Sequence, residues 1–339
     1  MKRRRVILRA DASHDIGFGH LARLCALIEE LEANDHEPIL MFGGDRAAVT
    51  GWLVDRGIRT EIHPWTPAQV AQSAHDLGAS AVVIDGGPIA HDCIPLLAKL
   101  PWLHTVLVDD HGGFPLPIHT VINHNFHAPS LAPSYVARHM LLGRRYAMLR
   151  KDIRRLTRGS CRPYPGARLR VVVTFGGSDP VGATVRTLRL APAARKLELV
   201  VIAGPGFRDD AALAEAAKLA VEAGHTVDIH RAPPDPGALF VSADAAITAA
   251  GGTLGELAFL GCPALAYAIV ADQLVPAELQ ARAGLIASGR PLHELSDDDV
   301  KAELERFVTD DAGRAQLRAQ ALATIDADGP RRIIQQIAS

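Results

Sequence analysis

The chain has 339 residues, 48% of them hydrophobic and 22% charged, with a formal net charge of −2. A near-neutral balance excludes the basic surface of a general nucleic-acid binder, and no apolar stretch approaches the roughly 18 residues that span a bilayer. Neither nucleic acid nor membrane insertion is therefore expected, and at about 100–200 residues per domain the length predicts two domains.

In chain order, the basic run at residues 2–5 precedes only Val6-Ile7-Leu8 before Arg9. That apolar segment is too short for a signal peptide, and a cytoplasmic protein is expected. Val6-Ile7-Leu8 predicts a strand, residues 11–19 a polar Gly-containing turn, and Leu21, Leu24, Leu27, Ile28 and Leu31 a helix by their spacing. Residues 38–42 predict a second buried strand and residues 49–56 a helix. Further short apolar runs at 81–84, 105–108 and 121–122 end in Asp85, Asp109-Asp110 and Asn123. Strands that are apolar throughout and alternate with helical patterns predict a parallel sheet covered on both faces.

The arginine-rich stretch at 151–168, broken by Gly159, Pro163, Pro165 and Gly166, predicts a linker between a domain at 1–150 and another at 169–339. The second α/β series has predicted strands at 171–175, 198–203, 226–229, 245–248 and 264–267 and a helix at 209–223. The two halves share an architecture without a sequence repeat. The four cysteines, Cys25, Cys93, Cys161 and Cys262, lack metal-motif or redox-motif spacing.

Ligands of open α/β sheets sit beyond the carboxyl ends of the strands, so the loops there hold the candidates. Gly251-Gly252-Thr253 with Glu256 follows a strand and opens a helix. Its N–H groups suit a diphosphate and Glu256 suits ribose hydroxyls. The alternative is a Thr253–Glu256 capping box. Gly176-Gly177-Ser178-Asp179 offers similar donors, or else a tight turn capped by Ser178 or Asp179. His20 opens the first predicted helix, whose positive end favours a neutral imidazole, a form suited to a general base. Its alternative is a surface or capping histidine. Asp11 and Asp85, each at a strand end, are the next candidate bases. Asp109 and Asp110 are adjacent, so their side chains are expected to diverge and not to share a proton. His111, His119, His124 and His127 fall close together, but no cysteine or carboxylate has matching spacing, and no metal and no cofactor is expected.

These motifs, taken in order, resemble a known family. Arg9-Ala10-Asp11-Ala12-Ser13, Ile16-Gly17-Phe18-Gly19-His20 and Arg23 are similar to the opening of the UDP-2,4-diacetamido-2,4,6-trideoxy-β-L-altropyranose hydrolases of pseudaminic acid biosynthesis. Ile84-Asp85, Val108-Asp109-Asp110, Asn123-His124-Asn125, Gly143 with residues 146–150, Phe175 to Pro180, Ala250-Gly251-Gly252-Thr253 with Glu256, residues 260–263 and Asp272-Gln273 continue the resemblance collinearly. It implies a GT-B fold, two Rossmann-like doubly wound domains facing a cleft, related to the transferase that adds N-acetylglucosamine to lipid I. It implies that His20 activates water at the anomeric carbon of a UDP-sugar. Gly176, Gly177, Ser178, Gly251, Gly252 and Thr253 would hold the diphosphate, Glu256 the ribose, and Gln273 would lie near the sugar or phosphates. Gly17, Gly19, Arg23, Asn123, Asn125 and Asp272 stand at matching positions in the ligand loops. The family's Asp-x-Tyr is Asp85-Gly86-Gly87 here, and its Asn-Gln pair is Asp272-Gln273, departures that bear on the sugar. A glycosyltransferase using a UDP-sugar donor, or a non-catalytic nucleotide-sugar-binding protein, are the alternatives.

Overall fold

The computed structural model describes residues 3–12, 19–44, 53, 61–62, 65–162 and 168–338. The helix expected at 49–56 lies outside these, apart from Leu53. The chain forms two compact units, one of Met1–Lys151 with Ala327–Ser339 and one of Asp152–Asp326.

The first unit carries β1 (Arg5–Ala12), β2 (Glu37–Gly44), β3 (Glu61–Ile62), β4 (Ala81–Asp85), β5 (His104–Val108), β6 (Ile118–Asn123) and β7 (Ala137–Leu142). They pair in the order β3-β2-β1-β4-β5-β6-β7, and every pairing is parallel. The order reverses between β1 and β4, where Ala10 stands opposite Asp85. Successive side chains leave a strand on opposite faces, which is why the apolar runs lack alternation. Val6, Leu8, Val83, Val106 and Val108 join a core with Leu21, Leu24 and Leu27 of the helix Gly19–Ala33. Ile7, Val82, Ile84 and Leu107 join a second core on the other face with Ile94 and Leu97 of the helix Gly87–Leu97.

The second unit carries β8 (Leu169–Thr174), β9 (Leu197–Ala203), β10 (Thr226–Arg231), β11 (Ala245–Ala249), β12 (Ala264–Ala268) and β13 (Ala287–Pro291). Their order is β10-β9-β8-β11-β12-β13, again wholly parallel. Here the order reverses between β8 and β11, with Thr174 opposite Thr248. Each unit is thus a doubly wound, Rossmann-like sheet.

Two boundaries differ from the sequence expectation. The stretch from 152 to 162, expected as a linker between the domains, belongs to the second unit and is docked on it. Gly159 N–H donates to Phe259 O and Cys161 N–H to Leu260 O, and Arg318 donates to the carbonyls of Gly159, Cys161 and Gly261. The arginines and glycines suggested a linker because they break apolar periodicity, but here the backbone supplies the attachment. The tail does not belong with the second unit. The helix Gly329–Ile337 returns to the first, where Ile333, Ile334 and Ile337 are buried beside Leu24 and Ile28. Fully burying one such side chain contributes about 1.5–3 kcal/mol.

Candidate active site

In the first unit the polar groups at the strand ends are sorted by strand parity. Asp85 follows Ala81 and Val83 onto the face covered by the helix Gly19–Ala33. On that helix His20 and Arg23 are three residues apart and share its first turn. The His20 Nδ1 lies 2.7 Å from Asp85 Oδ1. Arg23 grips the same carboxylate with two N–H groups, Nε to Oδ2 at 2.6 Å and Nη2 to Oδ1 at 2.5 Å. Its remaining Nη1 donates to Asp110 at 2.9 Å. The Asp85 side chain is fully buried, whereas the imidazole of His20 is 31% exposed.

These positions bear on several sequence expectations. Asp85 is unsuited to act as a base, because its carboxylate is sealed from solvent and already accepts from His20 and Arg23. Asp11 lies on the opposite face of β1 and is ion-paired to Arg9 at 2.6 Å. Arg23, expected on the substrate, instead spends its guanidinium on protein carboxylates. Asn123 is wholly buried. Its Nδ2 donates to Tyr135 Oη at 3.0 Å and its Oδ1 accepts from Asn125 N–H at 3.1 Å. It shapes the loop from inside and has no surface for a ligand. Asn125 is half-buried and its Nδ2 donates to Asp110 at 2.8 Å. Gly19 begins the helix and is open to the addition of a side chain, and Gly17 lies outside the described residues.

Asp109 and Asp110 diverge as expected. Asp109 accepts from the N–H groups of His111 and Gly112 and from Tyr135 Oη, while Asp110 faces Arg23. Burial alone would raise the Asp110 pKa, but Arg23 and, more weakly, His124 hold it well below the usual carboxylate range. For Arg23, burial opposes the charge, yet Asp110 and Asp85 outweigh it and raise its pKa. His124 sits in the same cluster. Burial, then the Arg23 charge, brings its pKa down from 6.5 to about 4, with Asp110 and Asp85 opposing. Asp110 and His124 were not expected as site residues. For Asp110 the signal was its even spacing from Val106 and Val108, which puts it on the His20 face. Among the described residues no group of three or more potential ligands is placed to hold a metal.

The strand ends of the second unit differ. The helix Thr253–Leu260 has Gly252 as its N-cap with no side-chain cap. The alternative Thr253–Glu256 capping box does not form, because Thr253 is itself the first helical residue. Leu254 N–H donates to Gly251 O and Gly255 N–H to Gly252 O. The N–H groups of Gly252 and Thr253 stand at the mouth of the turn, ahead of the helix's internal ladder. Glu256 is half-buried on this first turn. Gln273 accepts from Ile269 N–H at 3.0 Å through Oε1. Its Nε2 then lies beside Gly251, 3.4 Å from where a Cβ would stand. Asp272 next to it is exposed.

The Gly176 turn is committed differently. Asp179 is buried and accepts from the N–H groups of Ala183 and Thr184, both at 2.8 Å. A carboxylate therefore already occupies the start of the helix Ala183–Arg189, although the N-cap position is Gly182 and not Ser178 or Asp179. Gly176 has φ +83°, and a Cβ on Gly204 would collide with the carbonyl oxygens of Gly176 and Gly177. Gly206 N–H donates to Gly177 O at 2.7 Å. Ser178 is half-buried in this turn.

No family model and no curated protein matches the sequence. Solved structures do match over nearly the whole chain. Acinetobacter baumannii MurG has a TM-score of 0.69 at 15% identity, covering 99% of both chains. The calicheamicin glycosyltransferase CalG4 has 0.67 at 15%, covering 100% of this chain and 98% of its own. An S. aureus MnaA–UDP co-structure has 0.65 at 13%, covering 98% and 96%. The fold is GT-B. No helix among the described residues is long and apolar enough to cross a membrane.

Proposed function

We propose that this chain is a glycosyltransferase that uses a UDP-sugar donor, with His20 as the general base for the acceptor hydroxyl. The observation that carries this reading is the bond between the exposed His20 imidazole and the buried Asp85 carboxylate. An ionised carboxylate cannot donate, so the hydrogen-bond network assigns the proton to Nδ1 and leaves the lone pair on Nε2. Nε2 takes the acceptor proton as the acceptor oxygen bonds to the anomeric carbon. The bond from that carbon to the diphosphate oxygen breaks, and UDP leaves with the electron pair. Asp85 offsets the charge of the imidazolium that forms, as a carboxylate does behind any histidine base.

The second unit holds the nucleotide in this reading. Gly252 and Thr253 N–H groups and the Gln273 amide are the donors for the diphosphate, where fixed dipoles favour the developing negative charge. Glu256 takes the ribose hydroxyls. The Gly176, Gly177 and Ser178 turn lines the seat, with Asp179 anchoring it. Several of the similar structures are of transferases, among them a UDP-glucosyltransferase from Polygonum tinctorium, which supports an acceptor hydroxyl over water.

Hydrolysis of a UDP-linked amino-deoxy sugar is the second reading. It is supported by the collinear motifs from Arg9 to Gln273, and water would then take the acceptor's place. UDP release from a panel of UDP-sugars, measured with and without added hydroxyl acceptors, separates the two. Release that requires an acceptor is expected. Release in water alone at the full rate would replace transfer by hydrolysis, and binding without any release would remove both.

A further inference from the structure

The His20–Asp85 pair is the exposed end of a longer hydrogen-bonded chain. Asp109 accepts from Tyr135 Oη at 2.7 Å, and Tyr135 Oη accepts from Asn123 Nδ2 at 3.0 Å. Asn123 Oδ1 accepts from Asn125 N–H, and Asn125 Nδ2 donates to Asp110. Asp110 accepts from Arg23, and Arg23 holds both oxygens of Asp85. The chain starts at the ends of β5 and β6, crosses to the helix Gly19–Ala33, and finishes on the imidazole. Its one cationic link is Arg23, whose side chain is 11% exposed.

We infer that Arg23 is a positioning residue that fixes the protonated nitrogen of His20 by clamping Asp85 between itself and the imidazole. This rests on the reading of His20 as the base. A lone carboxylate at the end of β4 could rotate about its last bond and offer either oxygen, or neither, to the histidine. The fork of Arg23 removes that freedom, because a guanidinium meets a carboxylate in one plane through two parallel N–H bonds. Arg23 Nη2 also lies 3.0 Å from His20 Nδ1. Both atoms are donors once Nδ1 carries its proton, so both aim at Asp85 Oδ1 and neither bonds the other. Were Asp85 released, Arg23 could donate to Nδ1 directly. The imidazole proton would then move to Nε2, and the lone pair that the base needs would face inward. The clamp therefore decides between a competent and an incompetent tautomer. Asp110 and Asn125 anchor the far side of the guanidinium, and Asn123 and Tyr135 tie that anchor to the sheet.

The test uses the full chain labelled with ¹⁵N-histidine, with the His20 signals assigned by their loss in His20→Asn. Wild-type His20 is expected to carry its proton on Nδ1. Arg23→Gln keeps the polarity but lacks the fork, and Arg23→Lys keeps the charge but lacks the plane. Both are expected to show mixed tautomers and turnover lower by roughly 10²-fold, the scale of a misplaced catalytic group, with UDP affinity unchanged. A proton on Nε2 in the wild type would overturn the inference. So would wild-type tautomer and turnover in Arg23→Gln or, if the glutamine variant does not fold, in Arg23→Lys. A fully active His20→Asn would overturn the functional reading instead, while the tautomer measurement would still decide whether Arg23 sets the histidine's proton.

Discussion

The two units place different chemistry at equivalent points of similar sheets. Where strand order reverses in the first unit, side chains crowd together: His20, Arg23, Asp85 and Asp110 make direct contacts of 2.5–2.9 Å. At the reversal in the second unit the surface is mostly backbone, formed by Gly176, Gly177, Gly204, Gly251 and Gly252. A proton acceptor needs a tuned, oriented side chain. A diphosphate needs close approach and N–H donors, which side chains would obstruct. In the proposed reading, a shared architecture serves both tasks by changing what is left at the strand ends.

The sharpest way to break this comparison is to remove the base. His20→Asn should lower turnover by about 10²–10⁴-fold and leave UDP affinity at its wild-type value in a calorimetric titration. Loss of UDP binding along with turnover would mean that the roles are not divided between the units. Next in size is a change of packing. Ile333→Ala in the tail helix should cost the first unit about 2–5 kcal/mol in urea unfolding, because Ile333 is fully buried in that unit's core. UDP affinity should be retained under folding conditions. If tryptophan-free probes in the second unit reported the same loss, the two would unfold as one.

A smaller effect is expected at the glycine surface. Gly251→Val pushes branched carbons towards Gln273 and should weaken UDP by about tenfold, or roughly 1.4 kcal/mol. Turnover at saturating donor should change much less. An unaltered UDP affinity would argue that the nucleotide is held elsewhere.

A further effect is one of pH. His124 and His104 both have pKa values lowered from 6.5 to about 4, first by burial. The unfolded chain binds these protons near pH 6.5 and the folded chain only near pH 4. Folding stability is then full above pH 6.5 and falls as pH drops towards 4. Urea midpoints for the first unit at pH 7 and pH 5 should differ in that direction, and His104→Gln should reduce the difference. An equal slope in the variant would assign the pH dependence to other groups.

Most of the fold was legible because buried parallel strands are written as short apolar runs, as in Val171-Val172-Val173. The strands that escaped are those without that signature. β3 has only two residues, Glu61 and Ile62, β7 is an edge strand whose Arg138 and Met140 are exposed, and β13 contains Gly289 and Pro291. The tail was assigned to the wrong unit because helical spacing of Ile333, Ile334 and Ile337 reports an apolar face but not what covers it. At the candidate site, His20 was visible as a histidine at a helix start, and Asp85 and Arg23 were singled out as a base and a ligand-loop residue. Their pairing with each other and with Asp110 was not visible, because Arg23 lies 62 positions from Asp85 and 87 from Asp110 and only the pairing of β1, β4 and β5 brings them together. The Thr253–Glu256 capping alternative did not form because the N-cap falls on Gly252 and Thr253 is already helical, a one-residue shift that spacing alone does not reveal.

The return of residues 327–339 makes the second unit an insertion: the chain leaves the first unit at Lys151 and re-enters it at Ala327. Cutting the protein at the arginine-rich stretch would thus divide it unevenly. A fragment beginning near 169 and running to the end would lose the attached strap at 152–162 and keep a helix whose isoleucines have no core, a recipe for self-association. Excising 152–326 leaves the second unit's sheet with its own strap and no orphaned helix. The remaining stretches, 1–151 and 327–339, could then be joined through a flexible bridge, giving an autonomous version of the unit that carries His20. The natural modules of this chain are an insert and its host, not two consecutive halves.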